Sequence, residues 1–382
     1  MILAWFLFAC SSEIKDEYEK NKAQVLQKPA ELGDNWQPDI ILRLNYSALS
    51  DVAIKILSSE LQTISLEKEF LGAKFLATSN LTLQSLQIED VPADHSMKIL
   101  GRLTGPWAWK WKKLQGSESS DISFEGIAKI SLEDGEMQLK IRKITKLEVH
   151  INPIKSIEIG SVLSGIINKK LSDTPPISLG KMDLEHFSMR KMRLMTTPTS
   201  SNIEIRSNVN HHASIQPPNT SMKQDWQLMV HQDTLLGWAQ KAAFEKGIVA
   251  LDTAVDIRDL SIEDTNFTLN LRLWNIGGVT HWWRDYQSKG SLSIRKNHLH
   301  FSNEELTEGL KSPLADWVDP LALMGEGLIL EEISAQLQYS LPIQQKDTLK
   351  NHPWKFQTNR LKGEKDTLYV YGDIDFSAQK SK

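Results

Sequence analysis

Cysteine is almost absent from this sequence. A single residue, Cys10, occurs among 382. A disulfide framework and a cysteine-based zinc site both need several cysteines, so the composition excludes both. An excess of basic residues is lacking too, since 44 Lys and Arg face 48 Asp and Glu for a formal net charge of -4. A broadly basic protein is therefore excluded, and we expect no nucleic-acid partner.

Motifs of the common enzyme classes are missing as well. The chain contains no G-x-S-x-G elbow, no Walker loop, no H-E-x-x-H and no G-x-G-x-x-G. His298 and His300 share a face of a predicted strand and His211 and His212 are adjacent, but no third ligand follows at a spacing typical of metal sites. We therefore predict no enzyme activity, no metal and no cofactor. Scattered carboxylates leave an envelope hydrolase as the least favoured alternative.

The N-terminus carries a short apolar run. Residues 1–9 are too few to span a bilayer. Residues 7–10, LFAC, resemble the lipobox of bacterial lipoproteins, in which the cysteine carries a diacylglycerol after cleavage before it. The resemblance implies a lipoprotein signal over residues 1–10 and lipidation of Cys10, and the serines at 11 and 12 imply outer-membrane sorting. The alternative is a buried strand with a buried thiol.

The rest of the chain divides into four predicted segments. After the signal, the polar residues 11–39 predict a flexible tether. Residues 40–210 then read as strand, helix, a long series of alternating strands and a second apolar helix. The polar, proline-containing residues 211–224 predict a linker. The same order of elements begins again in residues 225–382, which predicts an internal repeat.

Three segments carry a resemblance to a known superfamily. They are RLNYSALSDVAIKIL at the first helix, DISFEGIAKISLEDGEMQLKI at a hairpin and SIEIGSVLSGIINKKL at the second helix. This arrangement is similar to the tubular lipid-binding (TULIP) superfamily, which includes the bactericidal permeability-increasing proteins. The resemblance implies an α+β fold of two tandem TULIP-like modules, each a long curved antiparallel sheet wrapped around amphipathic helices, with a seam for acyl chains. It brings no catalytic residues.

The predicted helices carry apolar stripes at helical spacing. On the TULIP interpretation these stripes line an apolar tunnel; the alternative is an ordinary dry core, which periodicity cannot separate from a tunnel. The ligand-lining candidates are Leu49, Val52, Ile56, Leu163, Ile166, Ile167, Leu235, Trp238, Trp317 and Leu321.

Tryptophans lie beside basic residues at one connection in each half of the chain. Trp107, Trp109 and Trp111 alternate in GPWAWKWKK, and Trp282 and Trp283 precede an arginine. One interpretation is a membrane tip, since indoles are favoured at headgroup depth and cations meet anionic lipid. The alternative is that these indoles close the ends of the cores or pack the modules together.

The sequence therefore predicts an envelope lipoprotein, anchored to the outer membrane and facing the periplasm. Its expected partner is a lipid or another hydrophobic ligand, which it binds or transfers in an apolar tunnel. The alternative is a non-enzymatic envelope scaffold that uses the same fold to bind a protein or glycan partner.

Overall fold

The computed structural model covers most of the chain. It describes residues 2–28, 31–60, 63–70, 73–91, 96–133, 136–151, 169, 176–181, 189–209, 213–216, 221–250, 253–277, 281–295, 298–313, 315, 339–340 and 355–375. The predicted helices at residues 156–171 and 314–324 lie outside the described residues, apart from two isolated positions. Leu163, Ile166, Ile167, Trp317 and Leu321 lie outside them as well.

Strands dominate the described part of the chain, which holds three helices and nineteen strands. The helices are α1 (Ile2–Leu26), α2 (Tyr46–Glu60) and α3 (Gln232–Lys246). The strands up to the middle of the chain are β1 (Ile40–Asn45), β2 (Thr63–Phe70), β3 (Ala73–Asn80), β4 (Thr82–Val91), β5 (Ser96–Trp111), β6 (Leu114–Glu133), β7 (Glu136–Ile151), β8 (Ile177–Lys181), β9 (Met189–Thr196) and β10 (Ser200–Ser207). The later strands are β11 (Trp226–His231), β12 (Ile248–Ala250), β13 (Thr253–Glu263), β14 (Asn266–Asn275), β15 (Trp282–Arg295), β16 (His298–Lys311), β17 (Tyr339–Ser340), β18 (Lys355–Glu364) and β19 (Thr367–Asp375).

The predicted α+β class is wrong, because the fold is mainly β. From its segments of alternating hydrophobicity the sequence predicts a series of short strands. In the structure these segments join into long strands, and β6 alone runs for 20 residues. Helices α2 and α3 are each 15 residues long. Sheets therefore form most of the architecture, and the picture of sheets wrapped around long helices is replaced by one of sheets packed with short helices.

A central sheet joins strands from both ends of the chain. Its order is β18-β19-β11-β1-β10-β9, so β1 and β11 are neighbours at the middle. They pair antiparallel with Leu42 opposite Leu228. On each side the next strands pair in the same way, β10 with β9 and β19 with β18. We call residues 40–207 the first half and residues 226–375 the second half; in the central sheet they are related by an approximate two-fold axis near Leu42 and Leu228.

Each half continues into its own antiparallel sheet. In the first half the order is β2-β3-β5-β6-β7-β8, with β4 also paired to β5. In the second half it is β12-β13-β14-β15-β16-β17. Helix α2 packs on β4 and helix α3 packs on β13. One hydrophobic cluster runs through both of these sheets and the central sheet, so the two halves share a core.

The sequence predicts a flexible tether over residues 11–39, and the structure has a helix in the first part of this range. Helix α1 extends to Leu26, and its Ile14 and Tyr18 are 9% and 1% exposed. The side chains of Ile14, Tyr18 and Val25 pack in a second hydrophobic cluster with residues of the second half. Seven of the ten residues from 13 to 22 are charged, and they conceal this apolar stripe in the sequence. None of the described helices combines the length and hydropathy needed to cross a membrane.

Candidate functional site

An apolar row follows one face of strand β5. Met97, Ile99 and Leu103 are 0%, 1% and 0% exposed, and Gly101 stands between them. Strand β5 pairs with β6 from Met97 to Trp111 without a shift of register. Because strand residues alternate between faces, odd-numbered positions of β5 keep to this inner face along about 50 Å of strand. The three predicted tryptophan positions, 107, 109 and 111, are therefore the outer continuation of the core row.

Trp109 is where this row reaches the surface. Its side chain is half-buried and packs against the main core cluster. It stands opposite Gly116 on β6, and a Cβ at that glycine would lie 2.7 Å from the indole ring. Gly116 thus leaves the space in which the indole lies flat across the neighbouring strand. Trp107 and Trp111 are placed by their backbone pairing with Glu118 and Leu114.

A cleft of about 510 Å³ lies beside Trp109. Its lining includes Leu76, Ala108 and Lys110, and the Leu76 side chain is 42% exposed. Lys112 and Lys113 form the exposed turn between β5 and β6, and Lys112 has a φ of 55°. The outer end of the first half therefore combines apolar surface with three lysines, and we call residues 107–116 the Trp109 tip.

A second cleft, of about 430 Å³, lies nearer the middle of the same sheet. Leu86 and Phe124 are among the residues around it, and the Phe124 ring covers Gly101. The charges around it pair with one another: Arg102 with Asp121, Lys98 with Glu125 at 3.0 Å, and Lys146 with Glu148 at 2.8 Å. Each of these cations is therefore balanced by a carboxylate.

The helical lining candidates fall in the shared core where the structure describes them. Leu49 and Val52 of α2 are each 1% exposed, and Leu235 and Trp238 of α3 are 3% and 2% exposed. All four belong to the same cluster as the inner row of β5. For Ile56 only the backbone, in α2, is described.

The second pair of predicted tip residues lies in a packed environment. Trp282 is 5% exposed. The Trp283 ring lies 3.6 Å from the guanidinium carbon of Arg272, which also faces Trp274 at 5.1 Å. Asp285 accepts two hydrogen bonds from Arg272, at 2.6 and 3.0 Å. This arrangement fixes Arg272 between two indoles.

Helix α1 docks beside that arginine, a contact that the sequence did not predict. The Tyr18 ring lies 5.6 Å from Phe244 and 6.0 Å from Trp274, and burial raises the Tyr18 pKa to about 12. Glu17 approaches Arg272 to 3.2 Å. The signal available in the sequence is the spacing of Ile14, Tyr18 and Val25 on one helical face.

Two further sets of residues from the sequence analysis are the lipidation candidate Cys10 and the histidines considered as metal ligands. Cys10 belongs to α1 by its backbone, and its side chain is not among those described. His298 and His300 both belong to β16, and His211 and His212 lie outside the described residues. Among the described residues, no group of three or more His, Cys, Asp or Glu side chains is arranged to hold a metal ion.

Comparisons with known proteins give low similarities. No protein-family model and no curated protein matches the chain. Among solved structures, lipopolysaccharide binding protein has a TM-score of 0.45 at 12% identity, covering 90% of this chain and 100% of that one. P47 from Clostridium botulinum A2 has a TM-score of 0.38 at 10% identity, covering 88% and 97%. P47 of Clostridium botulinum E1 also has a TM-score of 0.38, at 9% identity, covering 89% and 100%. These scores are too low to carry an inference, and the TULIP resemblance stays a prediction.

Proposed function

We propose that this protein binds a lipid or another hydrophobic, anionic ligand, which enters its apolar interior at the Trp109 tip. The observation that carries the proposal is the inner row of β5, in which buried Met97, Ile99 and Leu103 lead to half-buried Trp109. Apolar surface that continues from a core to an exposed tip offers an acyl chain a path that avoids water.

Charge at the tip suits the other end of such a ligand. Lys112 and Lys113 are exposed in the turn after Trp109, Lys110 is exposed on the opposite face of β5, and anionic headgroups attract cations at close range. An indole has an apolar body with a polar N–H and is favoured at the depth of the headgroups. The tip is thus suited to contact a lipid surface while the inner row accepts the chain.

The anchor and the location belong to the same proposal. We propose that residues 1–10 act as a lipoprotein signal, that Cys10 is lipidated, and that the protein is held at the outer membrane facing the periplasm. Labelling with a clickable fatty acid in cells tests this. The label is expected on the wild type and lost in Cys10→Ala, and equal labelling of the two would refute the anchor.

Ligand binding is tested on protein purified without detergent. Native mass spectrometry is expected to show co-purifying acyl lipid on the wild type. Flotation with anionic vesicles is expected to be weakened by Trp109→Ala and by the triple change of Lys110, Lys112 and Lys113 to Ala. Leu310→Ala is the matched control, because Leu310 is 73% exposed on β16, in the other half. Lipid-free wild type, or a Trp109→Ala variant that floats as well as Leu310→Ala, would contradict the proposal.

A non-enzymatic scaffold is the second candidate. The observation in its favour is that Leu49, Val52, Leu235 and Trp238 are packed into one cluster. A protein of this type would be ligand-free in the same native mass spectra, and its contacts would be with a protein or glycan partner.

A further inference from the structure

Helix α1 runs antiparallel to helix α3. Tyr18 contacts Phe244 near the end of α3. Six residues further along α1, Gln24 and Val25 share a cleft of about 260 Å³ with Gly237, Gln240 and Lys241 of α3. Residues nearer the end of α1 thus contact residues nearer the start of α3. The N-terminus of α1 therefore points beyond the end of α3 at Lys246.

That direction leads away from the central sheet. Helix α3 begins directly after β11, and the His231 N–H at this junction donates to the Asp39 carbonyl across the sheet at 3.0 Å. The start of α3 is therefore fixed to the central sheet, and its end at Lys246 is the outer end. Cys10 precedes Ile14 by about 6 Å of helix axis, at 1.5 Å per residue. It thus lies just beyond the docked part of α1, on the outward side.

The docking is firm enough to fix this direction. The Ile14 and Tyr18 side chains are 9% and 1% exposed. The Glu17 carboxylate stands between two arginines, 3.2 Å from Arg272 and 4.0 Å from Arg258. Burial of large apolar side chains with an ion pair at the rim is the pattern of a specific contact.

The Trp109 tip points the opposite way. Strands β1 and β11 are antiparallel, so α2 starts at the end of the strand pair opposite to the start of α3; the Asn45 N–H there donates to the Asp225 carbonyl at 2.8 Å. Helix α2 packs on β4, which pairs with the Ser96–Thr104 part of β5. The hairpin at Trp111 and Leu114 is at the other end of β5, away from α2. The two halves thus extend to opposite sides of the central sheet.

We infer that α1 is a rigid mount, which holds the outer end of the second half against the membrane that carries Cys10 and directs the Trp109 tip away from that membrane. The inference rests on the proposed anchor. It adds an orientation: the Trp109 tip faces a lipid surface or lipid particle other than the membrane that holds the protein. That second surface donates lipid to the tip or accepts lipid from it.

The single cysteine allows a direct test on the full chain. The protein is coupled through Cys10 to a maleimide lipid in vesicles, and a fluorophore is introduced by a non-canonical amino acid at Lys246 or at Lys112, both exposed. The vesicles contain a lipid-bound quencher. Loss of fluorescence is expected at Lys246 and none at Lys112. Quenching at Lys112 equal to that at Lys246 would overturn the inference.

The role of α1 is tested by undocking it. In Glu17→Ala combined with Tyr18→Ala, the difference in quenching between Lys246 and Lys112 is expected to disappear, because the body then tumbles on a loose tether. Lys20→Ala is the matched control, since Lys20 is an exposed residue of the same helix. Circular dichroism monitors folding of each variant. A difference that survives undocking in a folded variant would refute α1 as the mount.

The two proposals fail separately in these experiments. Chemical coupling at Cys10 replaces biological lipidation, so the quenching pattern reports orientation whether or not cells acylate the protein. Absence of lipid in native mass spectra would refute the ligand proposal and leave the quenching result unaffected. Equal quenching at both sites would refute the orientation and leave the ligand result unaffected.

Discussion

Asp256 is a carboxyl buried at the foot of the α1 contact. It is 3% exposed, it accepts a hydrogen bond from Trp274 Nε1 at 3.2 Å, and it pairs with Arg258 Nε at 2.8 Å. Burial disfavours its charged form and raises its pKa to about 6, although Arg258 acts in the opposite direction. The protonation of Asp256 therefore makes the stability of the second hydrophobic cluster depend on pH.

We predict that Asp256 makes the protein less stable as pH rises from about 4 to about 6. The folded state binds this proton more tightly than the unfolded chain, in which the pKa of Asp is about 3.9. Its contribution is therefore fully present below about pH 4 and is lost as pH rises through 6. The loss is about 3 kcal/mol, because each tenfold difference in proton affinity between the folded and unfolded states is worth about 1.4 kcal/mol.

Urea unfolding between pH 4 and 7 is the measurement for Asp256. Asp256→Asn is expected to flatten the slope of unfolding free energy against pH. Asp259→Asn serves as the control, since Asp259 is an exposed acid on the same strand. A slope that Asp256→Asn leaves unchanged would show that other groups cause it.

Single residues show how far the sequence informs the site. The burial of Leu49 and Val52 follows from periodicity within one helix, and a local pattern is enough to predict it. The contact of Glu17 with Arg272 joins positions that are far apart in the chain, so no local pattern reveals it. The sequence allows two interpretations of Trp109, a membrane tip or a residue that closes the core. Each has an observation in its favour, because Trp109 reaches the surface and also continues the core row.

At the scale of the element, each of the strands β1 and β11 caps the helix that follows it. The last residue of β1, Asn45, accepts a hydrogen bond from the Ser47 N–H through its side-chain oxygen at 3.0 Å. The last residue of β11, His231, accepts one from the Asp233 N–H through Nδ1 at 3.1 Å. Asn45 and His231 therefore occupy matching positions, each directly before the helix that it caps.

We predict that Asn45→Ala lowers the free energy of unfolding by about 1 kcal/mol, because a helix N–H loses its acceptor. Asn45→Ser keeps an acceptor at this position and is expected to retain most of the stability. His231→Ala tests the matching position in the second half. Chemical denaturation measures all three, and equal stability of Asn45→Ala and the wild type would argue against the cap.

Hairpins are the elements that the sequence predicts best. The hairpin predicted in DISFEGIAKISLEDGEMQLKI is confirmed by the pairing of Glu133 with Glu136 at the adjoining ends of β6 and β7, and a local Asp-Gly pair was enough to predict it. Helix α1 is the opposite case. Its buried stripe is sparse and its stability depends on a surface formed by distant residues, so composition alone suggested a tether.

On the scale of the whole molecule, the central sheet makes the two halves depend on each other. Strands β1 and β11 are each other's partners, and their separation would expose two long rows of unpaired backbone groups. The strand and the helix that begin each half were visible in the sequence. The pairing of the two halves through β1 and β11 could not be predicted, because antiparallel pairing between distant strands has no pattern in the sequence of either strand.

We predict that fragments 1–216 and 221–382 assemble only with each other. Each alone exposes the edge of β1 or β11 and is expected to aggregate or to be degraded. Co-expressed, they are expected to elute together on size exclusion at the volume of the intact chain. Two soluble, monomeric fragments that do not associate would contradict an obligatory central sheet.

The position of β1 also has a consequence for synthesis. Its partners β10 and β11 follow only after the whole first-half sheet has been made. At a translation rate of about 5–20 residues per second, β1 waits on the order of ten seconds for a partner. During that interval the segment Ile40–Asn45, which lies at the centre of the finished sheet, has no partner strand on either side.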